Sequence, residues 1–332
     1  HTTCSEQDIY MFDAKTKSNN VPDAMWYIVG IESISGSNRE ACAAYNLIDD
    51  DSFVIVDESS YIKGHKAKRT ERITFYARNC RYRLILTGTP ISQGYEDLYS
   101  QMRFLSPKIL GYNSFYSFAA NHLEYHPKFR GLIVKAHNTA YLAAKIKPYT
   151  YQVTKDECLN LPPKLFDSRY FSMTPEQRRA YEQAKDEILF ECEPEDFDSI
   201  VIFRLFTTLQ SIICGFWNRK GKLLTFPHKR VETCMDILHA IPDDEKVVIW
   251  TKYRMSVQEI KDEIQRLYGK YSVAEFHGGN LKNRDCELDR FKSDKQTRFL
   301  IANQSCGGHG LTITEAKYAI FYSDGFKYSE RL

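Results

Sequence analysis

The chain has 332 residues, and chains of this length form two domains of about 150 residues each more readily than a single core. Hydrophobic residues make up 43% of it, but its apolar runs span only a few residues, which argues against a membrane helix and a membrane partner. The net charge is +2, so attraction to nucleic acid has to come from local patches. Nine cysteines without a C-x-x-C pair disfavour a zinc site and a secreted disulfide framework.

Short runs of β-branched and aliphatic residues recur along the chain and alternate with amphipathic stretches. Such runs are typical of parallel strands that are covered on both faces. They lie at residues 27–31, 53–56, 84–86, 247–250, 299–302 and 319–322. The pattern predicts an α/β fold with two parallel sheets, in a first domain over residues 1–164 and a second over residues 165–332. The boundary is placed at the Leu161-Pro162-Pro163-Lys164 run, because neither a helix nor a central strand tolerates it.

Two helix starts are marked in the second half. Thr174, Pro175 and Gln177 supply a cap, a first-turn proline and a capping-box partner, which predicts a helix from there to Phe190. Ser256 is predicted to repeat the device for a helix that covers the sheet. The apolar face expected on that second helix consists of Val257, Ile260, Ile264 and Leu267.

A candidate catalytic pair follows the first buried strand, since Asp57 and Glu58 come directly after residues 53–56. Ligands of parallel sheets bind beyond the carboxyl ends of the strands. There Asp57 would hold Mg²⁺ through water, and Glu58 would orient and deprotonate an attacking water. Taken alone, the pair is better explained as an acidic helix cap. The odds change because a second apolar strand runs into Thr87-Gly88-Thr89-Pro90, and two such strands fit as neighbours at a nucleotide site.

At this point a family resemblance becomes specific. Residues 56–63 and 86–91, followed by 98–107, resemble motifs II and III of the Swi/Snf family, within superfamily two of helicase-like motors. Residues 248–253 and 302–312 resemble motifs IV and V, and residues 276–279 resemble the block between them. The resemblance covers nearly the whole chain from about residue 26, and order and spacing of blocks make it strong. It implies two tandem RecA-like domains, a helicase ATP-binding lobe followed by a helicase C-terminal lobe.

The resemblance also implies the ligands, which are ATP, Mg²⁺ and double-stranded DNA, and it assigns candidate residues to them. Asp57 and Glu58 would be catalytic. Residues expected to couple ATP to DNA are Thr87, Gly88, Thr89, Gly308 and Gly310. Residues expected to contact DNA phosphates are Lys63, Lys66, Lys68, Arg69, Thr251, Lys252, His277, Gly278 and Thr312. Further members of the basic patches are His65, Arg72, Arg219, Lys220 and Lys222, and a solvated surface is the equally weighted alternative for each patch.

Two parts of such a motor have no counterpart in these residues. The sequence contains no G-x-x-x-x-G-K-[ST] phosphate loop, and no arginine-bearing helix of motif VI follows the second lobe's strands. We expect a segment of a longer protein whose first lobe is incomplete, and we expect the 332 residues by themselves to hydrolyse ATP barely or not at all. The sheet of the first lobe should then have an exposed edge, with dimerisation or poor solubility as the consequence.

The leading hypothesis is an ATP-driven translocase on duplex DNA that moves or remodels DNA-bound proteins. The alternative from another class is a non-catalytic DNA-binding or scaffold module with degenerate helicase lobes. A two-domain sugar-nucleotide transferase shares the α/β pattern but explains neither the T-G-T-P run nor the glycine-rich turn. His277 and His309 lack metal-ligand spacing, so no zinc is expected. The absence of large insertions favours a bacterial or phage protein of the cytoplasm; a eukaryotic one would be nuclear.

Overall fold

The computed structural model describes residues 4–127, 131–158, 160, 162–191, 199–307 and 311–325. The chain divides into two compact units, His1–Leu161 and Pro162–Leu332. Within the described ranges, every helix is too short or too polar to cross a membrane. Gly308 and Gly310, two of the predicted coupling residues, lie outside the described residues.

In its described residues, the first unit contains three pairs of short strands interleaved with helices. Its strands are β1 Ile9–Met11, β2 Trp26–Ile28, β3 Phe53–Val56, β4 Tyr82–Ile85, β5 Leu123–Tyr125 and β6 Ile133–Ala136. Its helices are α1 Ile31–Gly36, α2 Asn38–Asn46, α3 Lys68–Tyr76, α4 Asp97–Leu105, α5 Pro107–Leu110, α6 Phe115–His122, α7 Thr139–Ile146 and α8 Lys155–Cys158. Short 3-10 helices lie at Glu6–Asp8, Ser59–Ile62, Ala77–Asn79 and Lys147–Tyr149.

The second unit begins with two long helices and continues as alternating strands and helices. Its helices are α9 Pro175–Phe190, α10 Ser199–Ile213, α11 Arg230–His239, α12 Arg254–Tyr268, α13 Arg284–Ser293 and α14 Gln304–Gly307. Its strands are β7 Phe216–Arg219, β8 Lys222–Thr225, β9 Lys246–Trp250, β10 Val273–Phe276, β11 Phe299–Ala302 and β12 Ala316–Phe321.

In the second unit, four strands form one parallel sheet in the order β10-β11-β9-β12. Successive residues of the strands enter two different cores, because they point to opposite faces. Ile249 and Ile301 pack with α11 and α12 on one face, whereas Val248 and Leu300 pack with α13 on the other. The central strands β9 and β11 are therefore covered on both faces, which is why residues 247–250 and 299–302 are continuously apolar.

In the first unit, β1 pairs with β2 and β3 with β4, both in parallel, while β5 and β6 are antiparallel. Val54 and Val56 of β3 face a core that also contains Ile73 and Phe104. The alternate residues of both strands face solvent; they are Phe53 and Ile55 of β3 and Tyr82 and Leu84 of β4. The predicted α/β class with parallel sheets is confirmed, although the strands of the first unit form separate pairs.

The two predicted helix starts fare differently. The capping box of α9 is confirmed: Gln177 N donates to Thr174 Oγ1 at 3.2 Å, and Thr174 N donates to Gln177 Oε1 at 3.1 Å. The Ser256 cap is wrong, because α12 already begins at Arg254 and Ser256 is buried in its first turn. The hydroxyl of Tyr253 donates to the Thr207 carbonyl at 3.1 Å, which fixes the chain before the helix.

The predicted apolar face of α12 is correct for three positions of four. Val257, Ile260 and Ile264 are buried in the core of the second unit. Leu267 is 37% exposed, so its inclusion in that face was wrong. It lies in the last turn, where the next residue, Tyr268, packs against the core instead.

Candidate functional site

The carboxyl ends of β3 and β4 form the candidate catalytic edge of the first unit. Two backbone hydrogen bonds continue the pairing past the strands: Leu86 N donates to Val56 O at 3.0 Å, and Ser59 N donates to Leu86 O at 2.9 Å. We call residues 57–59 the acidic turn and residues 87–93 the T-G-T-P loop. The bonds place the two side by side, so Asp57 and Glu58 share a sheet edge with the predicted coupling residues of the T-G-T-P loop.

The acidic turn has an unusual backbone. Glu58 has φ 48° and ψ 57°, a left-handed conformation that costs a residue with a side chain about 1–3 kcal/mol unless its surroundings enforce it. Its amide donates to Asp57 Oδ1 at 2.9 Å, and its carbonyl accepts from Tyr61 N at 2.9 Å. Asp57 is exposed and Glu58 is partly buried. Both carboxylates are thus presented at the sheet edge, where a hydrated cation or a water can reach them.

The T-G-T-P loop folds back on itself at its start, because Thr89 N donates to Thr87 Oγ1 at 3.1 Å. Thr87 and Thr89 are partly buried and Gly88 is exposed. A Cβ added at Gly88 would meet no atom within 4 Å. The described residues around Gly88 therefore leave room for a side chain at this position.

Two residues of α4 hold this edge together, and the sequence analysis missed both. Gln101 accepts a hydrogen bond from the Ser59 hydroxyl at 2.7 Å and donates to the Pro90 carbonyl at 2.7 Å. Asp97 Oδ2 accepts from the amides of Ser92 and Gln93 at 2.9 and 3.0 Å. Both side chains are buried. The available signal was a pair of polar residues four apart on a helix that is otherwise largely apolar, which places them on one face.

Some of the basic residues near the acidic turn have hydrogen-bond partners within the first unit, and others are exposed to solvent. Lys63 Nζ lies 2.5 Å from Ser92 Oγ and 3.6 Å from the Asp97 carboxylate. Arg69 Nε donates to the Tyr61 carbonyl at 2.7 Å. The structure therefore gives Lys63 and Arg69 intramolecular partners, and a DNA contact by them stays a prediction.

Lys66 and Lys68 are exposed, as a phosphate contact requires. Lys66 Nζ lies 5.7 Å from the ring centroid of Tyr116, on the surface of the first unit. Beside it, His65 stacks on Phe115 at a centroid distance of 3.7 Å, and burial lowers the pKa of the His65 imidazole. A neutral histidine adds no positive charge to this patch. Arg72 Nη1 donates a hydrogen bond to the Ile34 carbonyl at 2.6 Å.

The parallel sheet of the second unit brings several predicted residues to its carboxyl edge. Lys252 follows β9, and His277 and Gly278 follow β10. Asn303, which the sequence analysis did not single out, joins them: its amide donates to the Phe276 carbonyl and its side chain donates to the Lys252 carbonyl, both at 2.9 Å. These ends therefore form one connected edge.

The individual residues of that edge differ in exposure. Thr251 has no exposed surface and its hydroxyl lies 3.0 Å from Ser323 Oγ, so the structure places it in the packing and does not support the phosphate contact predicted for it. His277 Nε2 lies 3.2 Å from Glu275 Oε2. Gly278 and Thr312 are exposed.

The second basic patch lies on a hairpin. β7 and β8 pair in antiparallel register, with Lys220 at φ 49° and Gly221 at φ 83° in the turn. Arg219 forms an ion pair with Glu187 of α9. Lys220 and Lys222 are exposed on the hairpin, and among the described residues neither forms an ion pair. In the described part of the chain, no cluster of three or more His, Cys, Asp and Glu side chains is placed to hold a metal ion. Magnesium at Asp57 stays a prediction.

Comparison with known protein families decides the classification. The model of the SNF2-related domain matches residues 11–215, which is more than half of the chain. The chain belongs to the SNF2-related domain family. The model of the helicase conserved C-terminal domain matches residues 229–329. The resemblance to the Swi/Snf family seen in the sequence is thereby confirmed. The first match continues beyond the division between the two compact units.

This SNF2-related chain is similar to several larger proteins. It is 26% identical over 275 residues to an "uncharacterized ATP-dependent helicase" of Mycoplasma pneumoniae, which covers 81% of the chain and 25% of that relative. It is 25% identical over 286 residues to a "putative ATP-dependent helicase/translocase" of Bacillus subtilis, which covers 81% of the chain and 29% of that relative. The chain thus spans about a quarter of the length of the curated relatives it matches.

Among solved structures, the SNF2-related chain is similar to the SWI2/SNF2 ATPase core domain of Sulfolobus solfataricus. The TM-score is 0.43 and the sequence identity 20%, over 97% of this chain and 65% of that one. Relatives of the chain occur in bacteria and in eukaryotes, including Arabidopsis thaliana and mouse. The expected bacterial or phage origin is therefore not decided by the comparisons.

Proposed function

We propose that the chain is part of an ATP-driven motor that translocates along double-stranded DNA and remodels what is bound there. One observation carries the proposal: two backbone hydrogen bonds hold the acidic turn beside the T-G-T-P loop at the carboxyl edge of β3 and β4, in a chain of the SNF2-related family. The printed names of the relatives, ATP-dependent helicase and helicase/translocase, support it. Residues 1–164 would form the helicase ATP-binding lobe and residues 165–332 the helicase C-terminal lobe.

The proposed chemistry uses the two carboxylates differently. Asp57, the exposed one, is suited to hold Mg²⁺ through bridging waters, because that cation keeps much of its hydration shell. Glu58 is held in a left-handed backbone conformation and would orient and deprotonate the attacking water. Thr87, Gly88 and Thr89 follow the neighbouring strand β4. Their hydroxyls and backbone amides would form hydrogen bonds that change with the state of the nucleotide.

The proposed DNA contacts are to phosphates, so binding should tolerate any sequence and weaken with salt. In the first unit, Lys66 and Lys68 are the candidates that stand open to solvent. In the second unit, Lys220 and Lys222 on the hairpin and Gly278 at the sheet edge are exposed candidates. The protein would act in the bacterial cytoplasm or, if eukaryotic, in the nucleus.

Hydrolysis is proposed for the longer protein that contains these residues, because the 332 residues include no G-x-x-x-x-G-K-[ST] loop. There, Asp57→Asn and Glu58→Gln should each lower DNA-stimulated ATP hydrolysis by about 100-fold or more, since positioned charge and base catalysis are lost. Asp51→Asn, a matched control in the exposed segment before β3, should keep wild-type turnover. Measurable DNA-stimulated turnover by the 332-residue chain alone, or unchanged turnover in the Asp57 and Glu58 variants, would contradict the proposal.

DNA binding is tested on the 332-residue chain by fluorescence anisotropy with duplexes of unrelated sequence. The Lys66→Ala/Lys68→Ala variant should bind more weakly to every duplex, and each lost phosphate contact should reduce the slope of log affinity against log salt by about 0.9. Lys15→Ala/Lys17→Ala removes the same charge from another exposed segment and should change neither quantity. Equal loss in the two double variants would reduce the effect to net charge and reject the first patch as a DNA contact.

A further inference from the structure

Gln101 occupies a central position beneath the catalytic edge. Its side chain is fully buried, and it contacts both the acidic turn and the T-G-T-P loop. Oε1 accepts from the Ser59 hydroxyl at 2.7 Å. Nε2 donates to the Pro90 carbonyl at 2.7 Å and to the Asp97 carbonyl at 2.8 Å. Both amide hydrogens and the amide oxygen therefore have partners.

The orientation of the Gln101 amide is fixed by the chemistry of those partners. The two groups facing Nε2 are carbonyl oxygens, which only accept hydrogen bonds. A flipped amide would place Oε1 against both of these oxygens, with no hydrogen atom to share. With the amide in this orientation, Oε1 faces the Ser59 hydroxyl, which therefore acts as the donor. Ser59 itself is fully buried. Because buried polar groups without partners are costly, the acidic turn and the T-G-T-P loop can separate only at a penalty.

Asp97, one turn before Gln101 on α4, holds the far end of the T-G-T-P loop. Its Oδ2 accepts from the amide and the hydroxyl of Ser92, both at 2.9 Å, and from the amide of Gln93 at 3.0 Å. Its carboxylate also lies 3.6 Å from Lys63, which comes from the segment after the acidic turn. The first half of α4 thus anchors the T-G-T-P loop, and Gln101, one turn after Asp97, is the residue of that half that contacts the acidic turn.

We propose that Gln101 is a positioning residue that transmits displacement between the acidic turn and the T-G-T-P loop through the Ser59 hydroxyl. This deepens the function proposed above and rests on it for its catalytic consequence. In that role Gln101 touches no substrate. It keeps Glu58, whose left-handed backbone needs support from its neighbours, in register with the adjacent loop. A change in either segment on nucleotide binding or hydrolysis then reaches the other through this side chain, in addition to the backbone hydrogen bond from Ser59 to Leu86.

The first test is hydrogen exchange in the 332-residue chain, followed amide by amide. Gln101→Leu should accelerate exchange by about fivefold or more at the Ser59 amide on one side and at the Gln93 amide on the other. Ser59→Ala, a milder change, should accelerate exchange at Gln93. The control is Ser100→Ala, since Ser100 is a buried α4 neighbour whose hydroxyl has no hydrogen-bond partner among the described residues. It should change neither amide.

The second test separates positioning from packing. In the Ser59→Ala/Gln101→Leu double variant both members of the polar pair are replaced by apolar groups, which restores part of the stability lost in Gln101→Leu. A merely structural role predicts that activity returns with stability. The positioning role predicts that the double variant, in the longer protein, keeps a kcat about 10-fold below wild type with the KM for ATP unchanged. Ser100→Ala should keep wild-type kcat.

The outcomes decide the two proposals separately. Acceleration confined to one side in Gln101→Leu, or unchanged exchange at Gln93 in Ser59→Ala, overturns the link. Recovery of kcat together with stability in the double variant also overturns it. If the wild-type longer protein hydrolyses no ATP while both amides respond, the proposed function fails and the physical link remains.

Discussion

The parallel strands of the two units have similar sequences but very different surroundings. All four residues of β11 in the second unit are fully buried, because helices cover both faces of its sheet. In β3 and β4 of the first unit, Phe53 is 53% exposed and Tyr82 is 51% exposed, because helices cover one face of the pair. An apolar run therefore identifies a strand suited to two-sided burial, while the layers around it decide how much burial occurs.

The same contrast applies to the way the candidate edges are held. In the second unit, Asn303 in the chain directly after β11 links the ends of β9 and β10. In the first unit, two backbone hydrogen bonds join the strand ends directly, and Gln101 adds a side-chain link from a separate helix. This side-chain link can be removed without changing a strand.

The largest expected effect tests the difference in burial. Phe299→Ala should lower the free energy of unfolding of the second unit by about 3–5 kcal/mol, because it opens a cavity in a two-sided core. Phe53→Ala should lower that of the first unit by about 1 kcal/mol or less, since half of the ring already faces solvent. Urea unfolding followed by hydrogen exchange of peptides from each unit gives both values. Comparable losses would mean that the exposed face of β3 is covered in solution.

A smaller effect concerns helix starts. Thr174→Ala removes the hydroxyl that accepts from Gln177 N and should cost the second unit about 1–2 kcal/mol. Ser37→Ala, at the start of α2 in the first unit, removes a cap that has no reciprocal partner and should cost about 0.5–1 kcal/mol. Thermal unfolding of the two variants checks the order. A larger loss for Ser37→Ala would show that the capping box adds nothing to α9.

The exposed face of the first unit gives a third, weaker effect on stability. Ile55→Thr and Leu84→Thr should each change the free energy of unfolding by less than about 1 kcal/mol, and together they should reduce binding of the dye ANS. Ile301→Thr, the same exchange on a fully buried strand, is the contrast and should be strongly destabilising. Unchanged ANS binding in the Ile55→Thr/Leu84→Thr variant would locate the exposed apolar surface elsewhere.

The smallest effect is a pH dependence of the first unit. Burial lowers the pKa of His65 below its ordinary value of 6.5, with the nearby Lys66 acting in the same direction and Glu71 opposing it. The unfolded state therefore takes up the proton first, and the free energy of unfolding falls as the pH drops below 6.5 through the lowered pKa. His65→Phe keeps a ring against Phe115 and should lose less stability between about pH 7 and about pH 5. Urea unfolding at the two pH values measures it, and an equal loss would exclude His65 as the cause.

Much of the fold could be predicted from local patterns. Residues 53–56 and 299–302 form strands as the apolar runs indicated, and Thr174 caps its helix as the capping box indicated. These features depend on neighbours in sequence, which a pattern contains. Ser256 failed as a cap because α12 begins at Arg254, directly after Tyr253, whose hydroxyl donates to the distant Thr207 carbonyl.

The candidate site divides in the same way. Because parallel strands end at one edge, the sequence alone predicted that Asp57 and Glu58 would meet the T-G-T-P loop. It also predicted a DNA phosphate contact by Thr251, a residue that the sheet buries against Ser323. Whether a strand-end residue is exposed depends on the neighbouring strand. The neighbour here is β12, which pairs with β9 and is followed by Ser323, 72 residues after Thr251 in the sequence.

The sequence by itself determined the buried apolar strands, the capped start of α9, the family resemblance and the two carboxylates at a strand end. Only the tertiary structure decided which strand faces are covered, which basic side chains stand open and which helix residues support the edge. The physical reason is that strand and cap signals arise from interactions within a few residues, whereas the partners of Gln101, Asn303 and Thr251 are set by packing between distant segments.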